Sequence, residues 1–166
     1  QGTNFADLTN WPSNYRATAL RAYGDFLVAL NTTEGSTSFP NRVRFSNLVT
    51  ANNVPDSWDE SDTTRSAGTN DLVEMRTGIV DGATLGSNFI IYSSDSIFLM
   101  EFVGGNFLFN FRKLFTDAGL ISQNCAVEVE GKHYCFGPAD IFVHDGTTKQ
   151  SICDERVKNH IFNNLN

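Results

Sequence analysis

The chain has 166 residues, 40% hydrophobic and 12% aromatic, which is enough to build a core and excludes a disordered polymer. Its formal charge is −7, from 12 basic and 19 acidic residues. A protein that grips nucleic acid needs a basic face to displace counterions from phosphates, and no basic run supplies one, so DNA gripping is disfavoured. An acidic conduit through which DNA slides without sticking remains compatible with the charge. The 14 Phe residues tilt the composition towards strands. No charged start followed by an apolar stretch follows Gln1, so no signal peptide is expected, and the start was either processed away or the chain is an excerpt of a longer polypeptide. The longest apolar stretches, such as Ile97–Met100, are too short to span a bilayer, so no membrane insertion is expected.

In chain order, Arg16–Ala22 and Asp25–Leu30 read as strands, followed by Asn41–Ser46, which alternates apolar and polar like a half-buried strand. Leu48 to Asn70 reads as a long connection carrying Pro55 and Trp58, of the kind that often makes contacts. Leu72–Arg76 restarts a strand. Ile79–Thr84, Asn88–Ser93, Ile97–Phe102 and Asn106–Lys113 follow, with Ser94-Asp95-Ser96 and Gly104-Gly105-Asn106 as turns. Links this short allow only an antiparallel meander, because parallel neighbours need long crossovers. Gln123–Val129, Lys132–Phe136, Ile141–His144 and Lys149–Cys153 repeat the grammar, with turns at Glu130-Gly131 and Asp145-Gly146. The period then changes. Val157, Ile161 and Leu165 recur every four residues beside Phe162, and Asp154 stands where an N-cap belongs, which predicts one amphipathic helix over 154–165.

The second strands of the last two groups place Phe89 against His133, a spacing of 133 − 89 = 44 residues. Four short antiparallel strands at such a period are expected for propeller blades. The chain therefore reads as all-β: one β-propeller-like segment over 1–166 of about three four-stranded blades, approximately 16–76, 79–113 and 123–153, with a loop insertion at 48–70. An irregular β-sandwich is the competing architecture. Three blades do not close a ring, so the segment reads as an excerpt of a larger chain or an open array.

Three cysteines, Cys125, Cys135 and Cys153, form no metal or redox pair. A two-residue turn at Glu130-Gly131 pairs Val129 with Lys132 and Ala126 with Cys135. Cys125 and Cys135 then face opposite sides of the sheet, and all three thiols are read as reduced. His133 and His144 fall on neighbouring strands and could approach each other, with Asp140, Asp145 and Cys135 nearby. The spacing matches no metal signature, so they are read as ordinary strand-end and turn residues. Among carboxylates, Asp95 and Asp140 sit in turns and Glu101 lies on an outer strand face, with no motif pairing two of them. No nucleophile elbow, P-loop or dinucleotide fingerprint is present, so no catalytic site, metal or cofactor is expected. Asn31-Thr32-Thr33 fits a glycosylation sequon only weakly without a secretory signal. Trp11 and Trp58 lie in polar surroundings, where a Trp either anchors a partner or sugar or plugs its own loop onto the domain.

Three stretches carry a family likeness: Asn41-Arg-Val-Arg-Phe-Ser-Asn47, Val54-Pro-Asp-Ser-Trp58 and Ser66-Ala-Gly68. Together they resemble an Arg-x-(Phe/Trp)-Ser … Pro-x-x-Trp … Ala-Gly pattern of the tail nozzle (tail tubular) and related virion proteins of tailed bacteriophages. Ser87–Met100, Val143–Gly146, Ser151–Val157 and Ile161-Phe162 look like blade strands and the next stretch of that family. The resemblance spans about Asp25 to Asn166 and carries no catalytic residues. It implies a propeller-like domain in a homo-oligomeric ring, a hexamer, at the tip of a short tail. Such a ring contacts other tail and adaptor proteins, and DNA passes through it without being gripped. It places the protein in the virion tail after synthesis in the host bacterial cytoplasm. Members of that family are much longer than this chain. Two other functions fit the residues: a carbohydrate-binding module or receptor-binding adhesin using Trp11 and Trp58, and a propeller enzyme such as a glycosidase, for which no converging carboxylates are seen.

Overall fold

The structure, a computed structural model, describes residues 8–51, 53–105 and 107–164. The chain divides into two compact units, 1–71 and 72–166. It is all-β with one short C-terminal helix, and its strands form three antiparallel four-stranded sheets, each a meander.

The first unit holds β1 (Tyr15–Tyr23), β2 (Phe26–Glu34), β3 (Thr37–Phe45) and β4 (Gly68–Asp71) in that spatial order. The first two hairpins close tightly, with Tyr23 opposite Phe26 and Glu34 opposite Thr37. Val28, Ala29, Leu30 and Val43 are buried in the two inner strands. The register between β2 and β3 shifts between Leu30 and Thr32, where Asn31 takes a positive φ of 53° and the strand bulges. The fourth strand corrects the sequence reading. It is Gly68–Asp71, which overlaps the end of the 48–70 stretch read as loop, while Leu72–Arg76 forms no strand. Arg42 and Asp71 explain the choice, because they pair opposite each other across β3 and β4 and join as a bidentate ion pair at 2.7 and 2.8 Å.

The second unit contains two sheets. One is β5 (Asp81–Leu85), β6 (Asn88–Tyr92), β7 (Ser96–Phe102) and β8 (Phe109–Thr116). The other is β9 (Ala126–Val129), β10 (Lys132–Phe136), β11 (Ile141–His144) and β12 (Lys149–Ser151). The strand predicted at Asn106–Lys113 starts later, at Phe109, and runs on to Thr116. Its turn is longer than Gly104-Gly105-Asn106, and Asn106 itself lies outside the described residues. The two sheets share one apolar core, in which Leu85, Ile90, Tyr92, Ile97 and Leu99 meet Leu120, Cys135 and Phe142. Phe89, Ile91, Phe98 and Met100, on the other face of β6 and β7, are buried as well. That double burial explains why Phe89–Tyr92 and Ile97–Met100 read as unbroken apolar runs instead of alternating.

The hairpin at Glu130-Gly131 has the register read from the sequence, with Val129 opposite Lys132 and Ala126 opposite Cys135. Both turn residues take positive φ, 51° and 73°, as a type I′ turn requires. The three cysteines are unbridged. Helix α1 covers Glu155–Phe162, shorter than the 154–165 expected, and Asp154 caps it by accepting the Val157 amide at 2.8 Å. Of the expected stripe, Phe162 meets the Phe136 ring and no helix residue is fully buried, while Leu165 lies outside the described residues. Lys158 anchors the same helix to Asp140 at 3.1 Å.

The link between the two sheets of this unit crosses the β6–β7 turn at Gly119. A Cβ there would stand 2.1 Å from the Ser93 carbonyl oxygen, closer than any side chain fits. The neighbouring amides use the same turn, Leu120 N–H donating to the Ser93 carbonyl at 2.9 Å. Gly119→Ala is therefore expected to cost about 2–3 kcal/mol of stability in urea unfolding, and a cost below about 0.5 kcal/mol would contradict this close approach.

Candidate functional site

Two polar centres stand out, one in each unit. The first gathers the residues of the tail-protein likeness. Glu34, at the end of β2, accepts from Thr32 Oγ1, Arg42 Nη1 and Arg44 Nε, each at 3.1 Å. Arg44 projects from β3, is 3% exposed, and donates Nη1 to the Trp58 carbonyl at 2.9 Å. Its other Nη lies 3.6 Å from Glu60. Arg42 lies 3.6 Å above the Phe39 ring, and Asp71 beside it raises the already high guanidinium pKa. Asp71 is in turn held below the usual carboxylate range by its hydrogen bonds from Arg42. A buried guanidinium in this setting is stable only because every face has a partner.

The rest of the likeness closes around the same point. Ser46 Oγ accepts the Leu27 amide at 3.0 Å and donates to the Asn47 carbonyl at 2.7 Å. Asn47 accepts the Ser66 amide at 2.8 Å, and its own amide donates to the Ser57 carbonyl. The Phe45 ring lies against Gly68, where a Cβ would come within 2.8 Å of it. Arg44, Ser46, Asn47, Trp58, Ser66 and Gly68 thus form one clasp, which ties the 47–67 connection to the sheet. Within the connection, Asp59 and Asp62 hold their own chain through Ser61 and Thr64, whose hydrogen bonds keep both carboxyls below the usual range. Asp56 pairs with Asn47 and Arg65.

Trp58 is 1% exposed, so its ring has no free face to offer a partner as the chain stands. Trp11 meets it edge to face at 4.7 Å and donates its Nε1–H to the Tyr15 carbonyl at 2.9 Å. Together Tyr15, Arg44, Asp56, Trp58 and Asp59 border an open cleft of about 320 Å³.

The second centre lies between the two sheets of the second unit. His133 and His144 are direct cross-strand partners on β10 and β11, and Tyr92 reaches them from β6. Tyr92 Oη lies 2.5 Å from His133 Nδ1 and 2.7 Å from His144 Nε2, with Cys135 Sγ at 3.7 Å. His133 Nε2 is 2.7 Å from the Thr84 carbonyl, and the Gly146 amide points at His144 Nδ1 from 3.2 Å. A carbonyl can only accept and an amide N–H can only donate. Both neutral rings are therefore protonated at Nε2, His144 donates to Tyr92, and Tyr92 donates to His133. Every atom is satisfied.

Burial sets the protonation of this centre. Tyr92, His133, Cys135 and His144 are each at most 1% exposed. Loss of water pushes His144 down to about 4, lowers His133, raises Cys135 to about 11 and raises Tyr92 far above a free phenol. All four groups are neutral at pH 7. Among the described residues no three His, Cys, Asp or Glu side chains are placed to hold a metal ion.

The expected acid–base candidates do not converge. Asp95 accepts from Thr77, Ser93 and Ser96 in its turn, Glu101 accepts from Asn110, and Asp140 holds Ser151 and Lys158. The sequence analysis missed Tyr92. A signal existed: alternation puts His133 and Cys135, and likewise Phe142 and His144, on one sheet face, and a Tyr in a fully buried strand needs a partner for its hydroxyl.

Two substitutions probe these centres. Arg44→Ala leaves Glu34 with one of its two guanidinium partners and the Trp58 carbonyl without its donor, so a loss of about 3 kcal/mol is expected in chemical denaturation, with faster proteolysis inside 47–67. Tyr92→Phe strands His133 Nδ1 and the His144 Nε2 proton together. A loss of about 2–3 kcal/mol is expected in the same assay. Comparison with known proteins returned no matching family model and no matching curated protein.

Proposed function

We propose that the chain is a non-catalytic structural component of a bacteriophage virion, part of a tail nozzle or tail-tube assembly that borders the DNA ejection conduit. One observation carries the reading. The scattered residues that resemble the tail-protein pattern, Arg44, Ser46, Trp58 and Gly68, converge in space as a single clasp. Its contacts are internal and hold a loop to a sheet, which is what a framework motif does. The net charge of −7 accords with a wall that repels DNA over a Debye length. Short meander sheets tied by buried polar centres suit a rigid building block.

The cleft beside Tyr15 and Trp58 favours a second reading, a carbohydrate-binding module, because aromatic edges and carboxylates together suit polyhydroxyl ligands. Intact mass of the native parent chain together with light scattering separates the two. A longer parent that closes into a ring of identical subunits is the expected result. A 166-residue monomer that binds a glycan array, and loses that binding on Tyr15→Ala in the cleft, would overturn the virion reading.

A further inference from the structure

Every ring nitrogen of His133 and His144 has a partner, and the Gly146 amide at His144 Nδ1 is the one that requires a neutral ring. The Gly146 amide occupies His144 Nδ1, so a second proton on that ring would set two N–H groups against each other at 3.2 Å. His133 is more tolerant, because Tyr92 could turn its hydroxyl away and accept from Nδ1. That turn leaves the Tyr92 proton facing only the weakly accepting Cys135 sulfur.

The charged and titratable groups around the pair give little relief. On β5, Thr84 presents its carbonyl and Asp81 bonds the Gly82 and Asn124 amides. The β8 neighbour is the Phe115 ring, and on β11 it is Phe142. Tyr92 on β6 and Cys135 on β10 are the neutral groups nearby, and the Cys125 thiol lies just before β9. Glu128 on β9 stands opposite His133 and favours its charged form, but it is exposed. Asp145 favours a charged His144, yet its carboxylate is already taken by the Thr147 and Thr148 amides. Lys149 on β12, directly opposite His144, opposes it.

We propose that the Tyr92–His133–His144 node is an acid-release latch: neutral, it ties the β11–β12 turn and its sheet to β6, and protonation of His144 frees Gly146 and lets the two sheets of this unit part. The burial that holds His144 at about 4 fixes the direction. Its folded pKa lies below the value of about 6.5 in an unfolded chain. The stability it contributes is therefore full above about pH 6.5 and drains away as pH falls towards 4. The whole window corresponds to about a 300-fold change in the folding equilibrium. Asp71 and Asp145 have lowered pKa values, so their contributions are lost only below the usual carboxylate range, under this window.

Two measurements on the full chain test the latch. Side-chain nitrogen NMR at pH 7 is expected to show His133 and His144 neutral with the proton on Nε2, with exposed His160 as an internal reference. Amide exchange is expected to show the Gly146 protection factor falling at least about tenfold between pH 7 and 4.5, while Ile90 and Leu99 on β6 and β7 keep theirs. His144→Gln, which retains a donor towards Tyr92 but cannot titrate, should abolish that fall. A charged ring or an Nδ1 proton at pH 7 overturns the proposal, as does Gly146 protection that ignores pH. Undiminished acid sensitivity in His144→Gln overturns it too. If that variant fails to fold, the two wild-type measurements decide alone.

Discussion

One phenol oxygen organises the second unit. Tyr92 sits in an inner strand of its sheet, where no water reaches it, so its hydroxyl must find protein partners or cost a large part of the folding free energy. It finds them in the other sheet, on His133, Cys135 and His144. The apolar core around it is non-directional and would accept small slides of one sheet over the other. The oxygen would not. Shifting β10 by one residue would turn His133 and Cys135 to the outer face and leave Tyr92 buried and unpaired.

The first unit solves a similar problem with charge. Arg44 and Glu34 are buried ions, which are tolerable only because Arg42, Thr32, Trp58 and Glu60 complete their surroundings. An ionic centre has long reach and several donors, which suits holding a long, irregular connection. A neutral centre suits a dry space between two sheets. In both cases polar geometry decides which arrangement of an apolar core is adopted, with the clasp setting the path of 47–67 and the node setting sheet alignment.

Much of the architecture was legible locally. Short turns with Gly at positions of positive φ dictate hairpins, and two-residue spacing fixes register without tertiary information, so Val129 lay opposite Lys132 as the sequence required. Where a turn was longer the reading slipped, as at the strand that begins at Phe109. The fourth strand of the first sheet was misplaced for a different reason. Gly68–Asp71 has no apolar alternation to mark it, and its pairing with β3 is seen only where Arg42 meets Asp71 and Phe45 meets Gly68 across the ladder.

The sequence by itself determined that this is a chain of antiparallel meanders, which segments pair across the short turns, and that His133 and His144 lie on adjacent strands. Those features depend on neighbours within a few residues, where steric rules on φ and strand alternation act. Tertiary structure alone decided that Tyr92, 41 and 52 residues from its two histidines, would stand between them. It also decided that Trp58 would be buried under Arg44 and that the 47–67 connection would be tied down. Such partnerships are set by the need to satisfy buried polar atoms, and that need arises only once distant strands have packed.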